Sequence, residues 1–258
     1  MKTNKAFTLI ELLVVVAVLA MLSCLLLPVL AHSRGRSAAA GCLSNMRQLM
    51  AGWSMYREEN NDILMPNAPL AYNNGWIPGT AEDWYNSNAN TNVTSLLSGQ
   101  MGAYLQSNVR VFKCPADVVP SDNGQRLRSY SMNGQMGAAS GSPNYNSGWR
   151  QYSKGSDLTC PAPANAFIFC DECPDSLNDG YFQSSFSSPE FPDIPAGYLD
   201  GGCGFSFADG HAEIHKWQTS SLLIPVIHGL SVNYPPVSGG INNADWLWLV
   251  QHCACRGQ

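Results

Sequence analysis

The sequence predicts an α+β chain, with one long N-terminal helix followed by a head that carries a mainly antiparallel sheet and long loops. Three observations lead there. The apolar residues are concentrated near the N-terminus, where Leu12 to Ala31 is an uncharged run. Residues 42 to 56 then carry a helix-period apolar stripe. From Ile63 onward, short strand-like runs alternate with Asn, Gly, Ser and Pro clusters, and 23 Gly with 16 Pro are too many for an all-helical body.

The first element divides into two parts. Counted from Phe7, the apolar stretch reaches Ala31 with Glu11 as its only charge, and about 25 residues at 1.5 Å each is long enough to cross a bilayer. Lys2 and Lys5 precede it, which places the N-terminus in the cytoplasm and the rest of the chain outside. Beyond it, Cys42, Met46, Leu49, Trp53 and Tyr56 recur every three or four residues, while Ser44, Arg47, Gln48, Ser54 and Glu58 fall elsewhere around the turn. Pro28 should bend this rod, Gly35 and Gly41 loosen it, and Asn60-Asn61-Asp62 end it.

Lys5-Ala6-Phe7-Thr8-Leu9-Ile10-Glu11-Leu12-Leu13 resembles the cleavage and methylation signal of type IV prepilins and type II secretion pseudopilins. The resemblance implies that a prepilin peptidase cuts between Ala6 and Phe7 and methylates the Phe7 amine. It also implies a pilin-like lollipop fold, and a bacterial inner-membrane precursor, single-pass with its head extracytoplasmic, that later joins a pilus or pseudopilus. Its partners would be other pilin or pseudopilin subunits. Glu11 would then pair with a neighbouring subunit's N-terminal amine, removing two charges that are each costly in hydrocarbon. One departure is Ala6, where the family prefers Gly. The expected organisation is a leader at 1–6, a transmembrane and filament-core helix at 7–31, an amphipathic helix at 32–60 and a head at 61–258.

Within the head a helix is expected from Ser95 to Gln106. Strands are expected at Arg110 to Lys113, Arg128 to Met132, Ala166 to Cys170, Gly204 to Ala208 and His211 to Trp217. Asp209-Gly210 fits a type I′ turn between the last two, and Ala244 to Cys253 reads as a short helix. Phe112-Lys113-Cys114-Pro115-Ala116-Asp117, Ser129-Tyr130-Ser131-Met132-Asn133, Asp171-Glu172, Asn178-Asp179-Gly180 and Phe207-Ala208-Asp209-Gly210-His211 resemble a prepilin-like family of planctomycete and verrucomicrobial bacteria. That family ends in a His, nine residues, Asp-Gly signature. Here Leu199 stands at the histidine's position, so no role of that histidine carries over.

Several clusters could carry chemistry. His211, Glu213 and His215 alternate along one strand and would offer two imidazoles and a carboxylate to zinc. Asp171, Glu172, Asp175 and Asp179 are oxygen donors for a calcium ion, although a turn cluster that only caps and solvates has the same composition. No cofactor is required by the sequence. With Cys24 in the apolar run, Cys42, Cys114, Cys160, Cys170, Cys173, Cys203, Cys253 and Cys255 remain as disulfide candidates, with 105 connectivities; a bond from Cys42 to Cys114, tying helix to head, is one. Trp76, Trp84, Tyr85, Trp149 and Tyr152 would either stack on sugars or finish a core.

A net charge of -5 argues against nucleic acid as a partner. There is no Gly-x-Ser-x-Gly elbow, phosphate-cradling Gly loop or His-Glu-x-x-His helix, so no reaction is expected. The expected function is a structural filament subunit. The alternatives are an anchored, non-polymerising head that captures a glycan or calcium, and an anchored hydrolase using the His211, Glu213 and His215 set.

Overall fold

A computed structural model describes residues 8–67, 69, 75–78, 88–138, 143–226 and 237–257, with side chains except at 25–32. Ala6, Phe7, Trp84 and Tyr85 lie outside the described residues. Contacts divide the chain into two compact units, Met1–Ser37 and Ala38–Gln258.

Helix α1, Leu9–Glu59, passes through Pro28 and ends where the sequence predicts. Asn61 and Asp62 take left-handed backbone angles (φ 54° and 64°), a conformation that short polar side chains tolerate, and the Asp62 amide closes on the Arg57 carbonyl at 2.9 Å. Within the second unit the apolar stripe of α1 is the buried one: Cys42, Met46, Leu49, Met50 and Trp53 are all sealed from solvent. Each Met or Leu so placed contributes about 1.5–3 kcal/mol. Tyr56 is half-buried and meets Tyr104 edge-on, with ring centroids 5.9 Å apart.

Five strands form one mixed sheet: β1 Tyr130–Asn133, β2 Phe167–Asp171, β3 Tyr181–Phe182, β4 Gly202–Phe207 and β5 Ala212–Lys216. Their order is β3-β1-β2-β4-β5, antiparallel throughout except for the β1/β3 pair. Neighbouring residues of β4 show how the sheet is covered, since successive side chains point to opposite faces. At Gly204 an added Cβ would stand 2.9 Å from Met46 Cε and 3.2 Å from Cys42 Sγ, so α1 crosses that face in direct contact with the strand. Phe205 points the other way, 4.8 Å from the ring of Trp248 in helix α4, Ala244–Cys253. Asn243 caps α4 by accepting from the Trp246 amide at 2.9 Å.

Some expected elements differ. The Arg110–Lys113 segment is not a strand: Val109–Phe112 is a 3-10 turn, because Asn45 of α1 donates its amide to the Arg110 and Lys113 carbonyls (3.1 and 2.8 Å) and holds them against the helix. The expected Ser95–Gln106 helix is two helices, α2 Val93–Leu97 and α3 Gln100–Tyr104. Between them lies Gly99, packed so tightly on Ile77 that a Cβ would fall 2.5 Å from the Ile77 Cα. The β4–β5 hairpin is present, but only Gly210 is left-handed (φ 96°), and the Gly210 amide closes a turn on the Phe207 carbonyl at 2.8 Å. A type I′ turn needs both central residues left-handed, so Asp209-Gly210 is not one. Strand β3 is not among the expected strands; two residues are too short for a period to show.

Gly204→Val should overpack the α1 crossing and lower stability by roughly 1–3 kcal/mol. The check is the urea midpoint of the detergent-solubilised chain, and an unchanged midpoint would place α1 elsewhere.

Candidate functional site

The N-terminal end of α1 is a capping box. Thr8 Oγ1 accepts from the Glu11 amide (3.2 Å) and donates to Glu11 Oε2 (2.7 Å), while the Thr8 amide also donates to Oε2 (2.9 Å). The same carboxylate therefore finishes the first turn of its own helix. After it, Leu12, Leu13, Val14, Val15 and Val16 are exposed, and five consecutive positions go fully around a helix of 3.6 residues per turn. Leu9 and Met21 are 79% and 70% exposed. Among the described residues no helix is long and apolar enough to cross a membrane; described apolar side chains stop at Cys24, while the run in the sequence continues to Ala31.

A second site lies in the head, where α1 crosses β1, β2 and β4. Cys42, Cys114 and Asp171 are buried, with their sulfur and carboxylate atoms within 4.8 Å of one another. Cys42 Sγ donates to Asp171 Oδ2 at 3.6 Å, Tyr130 donates its hydroxyl to Cys42 Sγ at 3.3 Å, and Tyr198 donates to Asp171 Oδ1 at 2.6 Å. Burial is the main force on Asp171 and raises its pKa to about 7 against the pull of the Tyr198 hydrogen bond. Next to it, the turn of Cys114-Pro115-Ala116-Asp117 is closed by the Asp117 amide on the Cys114 carbonyl (3.0 Å) and anchored by a buried Asp117–Arg126 ion pair. The Ser129 hydroxyl accepts from the Cys114 amide at 2.9 Å. These motif residues hold the head together from inside.

Asp171, Glu172, Asp175 and Asp179, the expected calcium donors, do not form one ligand set, although Glu172 and Asp179 are close enough to repel. Asp171 and Glu172 are consecutive and diverge. Glu172 instead accepts from Ser131 and from Ser176 (2.9 Å) near the buried Arg128, which donates to the Asp179 carbonyl. Asp179 Oδ1 accepts from the Tyr181 amide at 2.7 Å, and Asp175 is half-buried in the turn before Leu177. Asp193 shares this interior with Glu172 and Asp179, and sequence reasoning missed it because it lies outside the acidic run. Burial raises the pKa of Glu172, to about 8, and that of Asp193, and their proximity adds to the shift at Asp193.

The expected zinc set is not brought into one ligand group either, although the Glu213 charge acts on His215. His211 stacks on Phe207 (4.3 Å) and bonds to Asp209 at 2.6 Å, whereas His215 stacks on Trp248 (3.8 Å), which also stacks on His252 (4.1 Å). Glu213 is exposed. Trp76 and Tyr152 finish the core, and Trp149 lies 4.6 Å from Phe186. Cys160 and Cys255 form a disulfide; Cys42, Cys114, Cys170, Cys173, Cys203 and Cys253 are buried thiols and Cys24 an exposed one. Nothing in the spacing of nine cysteines could have selected that pair, which depends on the C-terminal tail returning beside Tyr152, whose hydroxyl contacts both the Cys160 carbonyl and the Cys255 amide. Leu199, in place of the signature histidine, is buried, and its carbonyl accepts from Lys216 at 2.9 Å.

The raised carboxyls have a consequence for stability. Asp171 and Glu172 keep their protons in the folded head at pH values where the unfolded chain, with pKa near 3.8 and 4.5, has released them. The folded state then binds more protons, so stability falls as pH rises from about 4 to about 8. The urea midpoint should be lower at pH 8 than at pH 5, and the difference should shrink in Asp171→Asn and Glu172→Gln; a midpoint that rises over this window contradicts the assignment.

Residues 1–25 match the family described as Prokaryotic N-terminal methylation motif. No curated protein and no solved structure matches the chain. The chain thus carries a prepilin-type signal at the end where Thr8 and Glu11 build the helix cap.

Proposed function

We propose that the protein is a structural subunit of a type IV pilus-like or type II secretion pseudopilus filament, cut between Ala6 and Phe7 and methylated on Phe7 by a prepilin peptidase. The observation that carries this reading is the first part of α1, whose exposed side chains are apolar on every side apart from the Glu11 carboxylate at its start and Ser23, whose hydroxyl donates back to the Leu19 carbonyl. A helix that is apolar all round needs either lipid or other apolar helices around it. The precursor is held in the inner membrane by this segment, with its N-terminus cytoplasmic and its head outside; assembly replaces lipid by the same segment of neighbouring subunits.

Glu11 gives the assembly its register. In the single chain, Thr8 supplies neutral donors to Glu11 Oε2. A neighbouring subunit's amine supplies the opposite charge, and joining the two in an apolar surrounding removes both as isolated ions. The head performs no reaction in this reading. A groove of about 450 Å³ beside Tyr198, Leu222 and Pro225 is lined, among the described residues, mainly by apolar side chains and backbone.

The test uses a photo-cross-linker in place of Val15 in cells that assemble the filament. The unmodified Glu11 background should give a ladder of multimers. Glu11→Ala should keep the membrane-bound monomer and lose the ladder at least tenfold. An equal ladder from both would remove the Glu11 mechanism, and a monomer band alone from both would favour an anchored protein that does not polymerise.

A further inference from the structure

We propose that Cys42 and Cys114 are joined by a disulfide in the exported protein, so that α1 is attached to its head covalently as well as by packing. Both sulfurs are buried, and they lie within 4.8 Å of one another. A bond needs about 2.0 Å, and rotation about Cα–Cβ moves a sulfur through a gap of that size. The partners come from separate elements, Cys42 from α1 and Cys114 from the turn after Val109–Phe112. Neighbours already hold both backbones in place: Tyr130 contacts the Cys42 carbonyl, Ser129 takes the Cys114 amide, and the Asp117–Arg126 pair anchors the turn.

The other buried thiols are directed elsewhere. Cys170 faces the Ser131 carbonyl, Cys173 the Asp175 backbone, Cys203 the Asp171 carbonyl and Cys253 the Ser184 hydroxyl. A metal centre would use Cys42, Cys114 and Asp171, but this group has three ligands among the described residues, whereas closed zinc sites take four. Like the Cys160–Cys255 bond, the Cys42–Cys114 bond requires an oxidising compartment, which the exported head of the proposed function supplies.

Formation needs a thiol–disulfide oxidant acting before α1 is seated, since the finished site is closed to solvent. One cysteine thiolate attacks the oxidant's disulfide and expels one of its sulfurs. The second then displaces the oxidant from the mixed disulfide. Two S–H bonds are lost, one Sγ–Sγ bond is made, and the two electrons leave in the oxidant, which departs as a dithiol.

The inference rests on the exported head of the proposed function, and one experiment separates the two. The full chain is purified in detergent from cells that export it, denatured without reductant, alkylated and mapped by mass spectrometry. Of nine cysteines, five should be alkylated, and Cys42 and Cys114 should appear in one linked peptide pair beside Cys160–Cys255. Cys42→Ser should free Cys114 to alkylation and leave Cys160–Cys255 intact. Seven alkylated cysteines with Cys160–Cys255 formed would overturn this inference alone, as would stoichiometric zinc released on denaturation or a Cys42–Cys203 link. Nine alkylated cysteines would overturn it together with the exported-head reading.

Discussion

Uncovered apolar surface at the start of α1 sets the terms for the rest of the chain. Leu12 to Val16 expose five apolar side chains in succession, and water is a poor surrounding for each of them. Glu11 is the one ionisable side chain in this part of the helix, and its hydrogen bonds come from Thr8. The capping box starts the helix within the residues 1–25 that match the methylation motif, and in the proposed filament the carboxylate's charge would be met by another chain. A short segment thus combines a prepilin-type signal with a helix start, and the proposed function adds an assembly contact to the same residues.

The second unit solves a different problem. There α1 presents one apolar stripe, and the sheet receives it where β4 has Gly204 and not a larger residue. Beneath the crossing lies a polar interior that a small head does not need for burial alone. Asp171, Glu172, Asp193, Arg128 and Asp117 are all buried, and each is held by hydrogen bonds or by an opposite charge. Such groups are costly to bury, but once satisfied they favour a single arrangement. The chemistry of these head residues is structural: carboxyls that cap and pair, and serines that bridge strands.

Elements with strong periodicity were legible from sequence. Both ends of the amphipathic stripe, the β4–β5 pairing and α4 follow from apolar spacing and turn residues. Failures arose where a distant neighbour decides the local backbone. Arg110 to Lys113 has strand-like composition, yet Asn45, far away in sequence, holds it as a turn. Gly99 breaks a helix because Ile77 packs against it. At the sites, Glu11 stood out as a charge in an apolar run, whereas the divergence of Asp171 from Glu172 and the stacking of His215 on Trp248 depend on tertiary packing. Asp193 and the Cys160–Cys255 pair left no local pattern to read.

The central claim is that this N-terminus is processed as a prepilin's is, and every further step of the filament reading depends on it. Intact mass of the protein purified from its native membrane, under conditions that preserve disulfides, tests it most directly. The account predicts loss of residues 1–6 and gain of one methyl group, with the modification on Phe7. A protein that keeps Met1 to Ala6, or that begins at Phe7 without the methyl group, would contradict it.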